Sequence, residues 1–295
     1  MGELSKLPNI GKNVEEQLNL VGIYKVEELT EIGSKEAWLK IREIDKSACI
    51  NRLYALEGAI EGIRLKTIGL IGGMSWESSI EYYKLINELV KEKLGGVHSC
   101  KCIMHSVDFA EIEKLQHNGE WEKLTEIMVN IAKKLEKSGA DCIVICTNTM
   151  HKMAEDIEKE VKIPLIHIAD SVGENIIKLN LKKVALLGTK FTMEQDFYKE
   201  RIRKKFGIEV IIPNESDKNI IHKVIYEELV KGQFKDESRQ EYIRIINELV
   251  KDGAEGIILG CTEIPLLINE SDVETPIFDT TKLHSESAVK FALEK

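Results

Sequence analysis

Positive charge is in deficit in this 295-residue chain: 41 Lys and Arg stand against 50 Asp and Glu, for a formal charge of −9. Non-specific affinity for phosphate backbones comes from clustered Lys and Arg, so nucleic acid is excluded as the main partner, though a small local basic surface is not. Long hydrophobic runs are also missing. No stretch approaches the ~20 apolar residues of a membrane helix, and the start Met1-Gly2-Glu3-Leu4-Ser5-Lys6-Leu7 lacks the apolar core of a signal peptide. The expectation is a cytoplasmic protein without membrane contact. Six cysteines show no disulfide-scaffold spacing, which fits a reducing compartment and leaves each to be weighed as core thiol, ligand or catalyst. No Walker-type loop is present, and Gly72 and Gly73 lack the spacing of a dinucleotide fingerprint, so no nucleotide cofactor is expected. What is there, 43% hydrophobic and 31% charged residues, is the make-up of a soluble protein long enough for two or three domains.

Residues 1–65 read as a separate small all-α domain. Leu7-Pro8-Asn9-Ile10-Gly11-Lys12 followed by Val14-Glu15-Glu16-Gln17-Leu18 is a tight turn entering a helix, and Val21-Gly22-Ile23-Tyr24-Lys25-Val26 repeats the plan. Lys35 to Gly62 has helical apolar spacing at Trp38, Ile41, Ile44, Leu53, Leu56 and Ile60. The pattern resembles a helix-hairpin-helix module, and more closely the C-terminal domain of TfoX-type competence regulators. In helix-hairpin-helix proteins the glycine turn offers backbone amides to a DNA phosphate. Here nine Lys and Arg face eleven Asp and Glu. That balance argues against DNA and for a protein contact or a structural role.

From Lys66 the texture changes to alternating strand and helix. Apolar runs at Thr67–Gly73, Cys102–Asp108, Cys142–Thr147, Pro164–Ala169, Val184–Gly188, Glu209–Ile212, Gly256–Cys261 and Pro276–Asp279 predict buried parallel strands with helices between most of them. There is an internal echo. Ile68-Gly69-Leu70-Ile71-Gly72 resembles Val184-Ala185-Leu186-Leu187-Gly188, and Gly72 precedes Thr147 by 75 residues while Gly188 precedes Cys261 by 73. The simplest account is two pseudo-symmetric, Rossmann-like parallel-sheet halves, residues 66–170 and 171–282, with a C-terminal helix at 283–295 returning to the first. Chemistry in such sheets sits at the carboxyl ends of strands. The symmetry puts Thr147 and Cys261 on opposite sides of one shared cleft.

Three stretches, Gly72-Gly73-Met74-Ser75-Trp76-Glu77-Ser78, Cys146-Thr147-Asn148-Thr149-Met150-His151 and Gly260-Cys261-Thr262-Glu263, occur in the order seen in the aspartate/glutamate racemase family, which residues 66–295 resemble, most closely in its aspartate racemase branch. The resemblance implies cofactor-independent racemisation of a small-molecule amino acid, aspartate or glutamate, by a protein that is often a homodimer. Racemisation needs two acid/base groups across the substrate. A thiol serves if its surroundings favour the thiolate, and a following helix N-terminus is expected to do so at Cys261. The resemblance implies substrate binding by Asn148, Thr149, Thr262 and Glu263, with Thr147 and Cys261 as the catalytic pair. Many family members carry Cys where this chain has Thr147. Cys146, one position earlier, is a possible alternative thiol, although successive strand residues point to opposite faces. A Thr hydroxyl is a far weaker acid than a thiol. Cys261 is therefore expected to be the dominant base, with Thr147 as donor or relay and unequal efficiency on the two enantiomers.

Met74 and Gln116 lie where related racemases line the cleft or touch substrate. Lys231 matches a family Lys that pairs with a substrate carboxylate, while the Arg some members carry is not evident. Cys100-Lys101-Cys102 with His98 and His105 superficially suggests a metal site, but alternating residues on a core strand are the preferred reading and no metal is expected. Cys142 and Cys49 read as packing residues, His151 as a substrate contact or helix cap, and His222 and His284 as structural. Two other readings stay open: another carbanion-forming enzyme of the same superfamily, such as a decarboxylase or different racemase, and a non-catalytic amino-acid sensor whose helical module contacts DNA or protein.

Overall fold

A computed structural model describes residues 2–61 and 65–294, and its contacts divide them into two compact units. The first holds the chain up to Lys66 together with residues 95–98 and the last residues from Lys290; the second holds 67–94 and 99–289.

In the first unit the chain forms helices α1 (Lys12–Leu20), α2 (Val26–Ile32), α3 (Ser34–Ile44) and α4 (Ile50–Glu61). Leu4, Leu18, Leu29, Ile41 and Leu56 make its core. Gly11 is the extended N-cap of α1, and Gly22, at φ +84°, closes the turn after it. Ile44, expected on the apolar face, is exposed, as is Cys49, whose neighbour Ala48 packs instead.

The second unit carries seven short parallel strands among the described residues: β1 (Ile68–Gly72), β2 (Cys102–Ser106), β3 (Cys142–Ile145), β4 (Lys183–Gly188), β5 (Glu209–Ile211), β6 (Ile257–Gly260) and β7 (Ile277–Asp279). They form two sheets, ordered β2-β1-β3 and β5-β4-β6-β7. β1 and β3 are fully buried, as are β6 and all but the first residue of β4. This explains their unbroken apolar runs. The helices are α5 (Trp76–Leu94), α6 (Phe109–His117), α7 (Trp121–Lys137), α8 (Ala154–Glu160), α9 (Ile168–Lys178), α10 (Lys190–Glu194), α11 (Asp196–Phe206), α12 (Glu215–Glu227), α13 (Asp236–Lys251) and α14 (Thr280–Leu293).

The strand expected at Pro164–Ala169 does not form. Leu165 makes a single parallel bridge to Ile143, and the Ile166 N–H donates to the Ile143 carbonyl. The run then turns: His167 Nδ1 accepts the Ala169 N–H at 3.2 Å and caps α9. A short apolar run satisfies strand and buried helix equally, and here the cap decides. The C-terminal helix starts at Thr280 rather than 283. Its His284 donates from Nε2 to the Ile166 carbonyl (2.6 Å) and accepts at Nδ1 from the Tyr82 hydroxyl (2.8 Å), tying it to the first sheet's layer.

Candidate functional site

The carboxyl ends of β1, β3, β4 and β6 meet in a narrow cleft of about 40 Å³ between the two sheets. Each half brings a glycine-marked turn. Gly73, at φ +89°, lies so close to the Val107 backbone that a Cβ would collide with its N and O. Only glycine lets β1 turn here and present Met74 and Ser75 to the cleft. In the other half Gly188 and Gly260 are register partners on β4 and β6, and a Cβ on Gly188 would lie 2.8 Å from the Gly260 carbonyl oxygen. Those strand ends can therefore approach closely enough to hold Thr189 and Cys261 at the cleft.

Cys261 is buried, and its thiol donates to Glu263 Oε2 at 3.0 Å. The same oxygen accepts from the Thr262 hydroxyl at 2.6 Å, while Glu263 Oε1 accepts from the Ser75 hydroxyl across the cleft at 3.0 Å. Burial pushes the Cys261 pKa well above the ordinary thiol range, and the Glu263 carboxylate pushes it further. The amides of Glu263 and Thr262 pull the other way but lose. The expectation of a helix-stabilised thiolate is thus corrected. Cys261 leads only into a single 3-10 turn, Ile264–Leu266, too short for an appreciable dipole, and the resting group is a thiol.

On the facing side Thr147 lines the cleft. Its carbonyl accepts from His151 Nδ1 at 2.8 Å, and His151 Nε2 accepts the Ile168 N–H at 3.2 Å, which fixes the tautomer. His151 therefore braces the motif and caps α9 from behind the cleft. Burial and the neighbouring His167 and His284 hold its pKa well below the usual value, so it stays neutral. Cys146 does not line the cleft. It is fully buried, its carbonyl accepts from the Ser78 hydroxyl at 2.8 Å, and burial raises its thiol pKa.

Asn148 has a determinable orientation. The Thr280 hydroxyl donates its one hydrogen to the Leu259 carbonyl (2.9 Å), so it can only accept from Asn148, at 3.0 Å, and that atom is Nδ2. Asn148 Oδ1 is then left buried without a partner among the described residues. A buried orphan acceptor costs free energy unless a donor arrives. Thr149 shares a hydroxyl cluster with Thr189 (3.3 Å) and Thr192 (3.3 Å).

Met74, Gln116, Thr262 and Glu263 all line the cleft, but Lys231 is exposed and outside the lining. It follows Val230, which faces inward, at the end of the turn Leu229–Lys231. Ser75, Phe109, Thr189, Ile225 and Tyr226 line the cleft without having been singled out as site residues. Thr189 was discoverable from the internal echo, since it follows Gly188 as Gly73 follows Gly72. Thr280, which anchors Asn148 from 132 positions away, follows the last strand, a position that places it near the cleft but does not reveal this role. No cluster of three or more potential metal ligands occurs among the described residues, and none of the described helices is long and apolar enough to cross a membrane.

Comparison with known proteins matches residues 71–288 to the family described as Asp/Glu/Hydantoin racemase and residues 1–69 to the TfoX C-terminal domain. The broad specificity amino-acid racemase RacX of Bacillus subtilis is 23% identical over 75% of this chain and 96% of its own. Among solved structures, a candidate Asp/Glu racemase from Yersinia pestis is 50% identical, covers 78% of this chain and 100% of its own, and superposes with a TM-score of 0.74. An aspartate racemase homologue from Pyrococcus horikoshii is 38% identical over 77% of this chain and 99% of its own, with a TM-score of 0.69.

Proposed function

This chain belongs to the Asp/Glu/hydantoin racemase family, and on that premise we propose that it inverts the α-carbon of an amino acid, without a cofactor, by proton transfer across the cleft between Cys261 and Thr147. The observation that carries the reading is the Cys261 thiol, hydrogen-bonded at 3.0 Å to the Glu263 carboxylate in a cleft that Thr147 also lines. Glu263 is placed to take the thiol proton. The thiolate then removes the α-proton of the enantiomer presented to it and becomes a thiol again. The carbanion charge spreads into the substrate carboxylate, within reach of the Thr149 hydroxyl, while the Thr262 hydroxyl keeps its one hydrogen on Glu263, and Asn148 Oδ1 takes the α-ammonium as its missing donor. Thr147 relays a solvent proton to the opposite face, because its hydroxyl is too weak an acid to act as a strong base unaided, and Glu263 releases the proton it took from the thiol to solvent, so that all three groups end the cycle as they began it.

The aspartate or glutamate preference implied by the family's name finds no cation among the described residues of the lining to hold it, Lys231 standing outside. Support for the racemase reading therefore rests on the Cys261, Glu263 and Thr147 arrangement and not on a side-chain pocket. Its test is Cys261→Ala. Racemisation followed by chiral chromatography is expected to fall at least about 10³-fold while the circular dichroism stays unchanged, as for loss of a proton-transfer group. Retention of activity would contradict it.

A further inference from the structure

Fifteen described residues line the cleft, and none of them is Lys, Arg or His. The one carboxylate among them, Glu263, is 5% exposed, and its two oxygens already accept three hydrogen bonds, from Ser75, Thr262 and Cys261. Both halves bring apolar side chains to the lining, Met74 and Phe109 from the first and Ile225 and Val230 from the second, with the amide of Gln116 beside them. Gln116 is buried, and its Nε2 has only the Met150 sulfur at 3.2 Å, a weak acceptor that an incoming oxygen displaces easily.

An α-amino acid brings a compensated pair of charges, and Asn148, Thr149 and Thr262 offer them polar partners. A side-chain carboxylate adds a second buried negative charge beside Glu263 with no cation to offset it, and burying an unpaired charge is costly. A side-chain ammonium meets a carboxylate whose lone pairs are largely committed. An uncharged side chain meets neither cost. It covers the apolar side chains, and a hydroxyl, amide or thioether in it can reach Gln116.

We propose that the substrate carries a small, uncharged side chain, apolar or neutral polar, which Phe109, Ile225, Val230 and Gln116 select over the acidic ones of the family's name. The proposal rests on the racemase reading above. Among the described residues two cations directly follow lining residues: Lys190, after Thr189, is half-buried and paired with Glu215 at 3.2 Å, and Lys231, after Val230, is exposed.

The test compares α-proton exchange in D₂O, followed by NMR as kcat/KM, for the full chain with both enantiomers of alanine, serine, homoserine, methionine and valine against aspartate, glutamate and lysine. The best neutral amino acid is expected to exceed aspartate and glutamate by at least about tenfold, the equivalent of one modest interaction. Val230→Lys, which adds the missing cation, is expected to raise aspartate or glutamate relative to the neutral substrates. Lys231→Ala is expected to leave that ratio unchanged and serves whether or not the first variant folds. A charged amino acid as the best substrate, or loss of aspartate and glutamate turnover in Lys231→Ala, overturns the proposal and leaves the racemase reading intact. Exchange with none of the amino acids removes the racemase reading and this proposal with it.

Discussion

Cys261 and Glu263 are separated by 3.0 Å in a site where both are nearly out of water. The carboxylate keeps the thiol protonated at rest, yet it is also the acceptor nearest to that proton. These two effects separate in Glu263→Gln. Removing the negative charge takes away the second-largest cause of the raised thiol pKa, so an absorbance titration near 240 nm should find Cys261 ionising at lower pH than in the parent chain. Turnover should nevertheless fall, because the proton acceptor is gone. An unshifted thiol titration would mean that burial alone sets the Cys261 pKa. The thiol and its Thr counterpart, to which we assign the chemistry, are legible in the sequence by residue type, and the structure brings both to the cleft lining. Glu263 was legible as a site residue but its work was not, since its hydrogen bond to Ser75 spans 188 positions. Lys231, one step beyond the lining residue Val230, is exposed and outside the lining, because a motif fixes a backbone position and not where the side chain goes.

Among the elements, the strand ends do the positioning, and two glycines with similar backbone angles show which constraint matters. Gly73 and Gly232 have φ of +89° and +68°, but a Cβ on Gly73 strikes the Val107 backbone whereas one on Gly232 meets nothing within 4 Å. Alanine at 232 should cost about 1–2 kcal/mol, the left-handed penalty alone. Alanine at 73 should cost more, because backbone cannot give way as a side-chain tip can, and should also displace Met74 and Ser75. Urea unfolding of both variants checks this, and equal losses would contradict it. Fully buried strands announced themselves by continuous apolar runs, which is why β1, β3, β4 and β6 were readable. Pro164–Ala169 was not, because its outcome turned on His167 spending its ring nitrogen on the Ala169 amide. That bond is invisible to periodicity.

At the scale of the racemase unit, three buried histidines join parts of the chain that are distant in sequence. The His151 ring centre lies 4.7 Å from that of His167, tilted, and 5.4 Å from that of His284, edge to face, linking the Thr147 motif, the start of α9 and α14. Burial holds all three below the ordinary value of 6.5, His284 to about 4. The unfolded chain therefore binds protons that the fold refuses. Stability is complete above about pH 6.5 and is lost as pH falls toward 4, by up to about 1.4 kcal/mol per pH unit for each histidine taking up a proton. Denaturant unfolding across pH 4–8 should show this decline, and His284→Gln should make it shallower. A flat profile from pH 7 to pH 4 would contradict the neutral assignment. The two-sheet architecture was the most readable property of the molecule, because the echo between Gly72 and Gly188 repeats a whole half and not a single residue.

The central claim is an unequal pair, a thiol facing a Thr hydroxyl. Enantiomers have equal free energies, so the inversion efficiencies in the two directions are bound to match and do not report the asymmetry. Exchange with solvent does. With the best substrate in D₂O, the measurement is the ratio of α-deuteration to inversion, taken separately from the L and the D enantiomer. From the enantiomer that faces Cys261, deuteration is expected to outrun inversion, because the thiol takes and returns protons faster than Thr147 can deliver one to the other face. From its mirror image the two should run together, and Cys261→Ala should abolish both. The same ratio from either enantiomer would contradict an unequal pair and require two bases of matched strength.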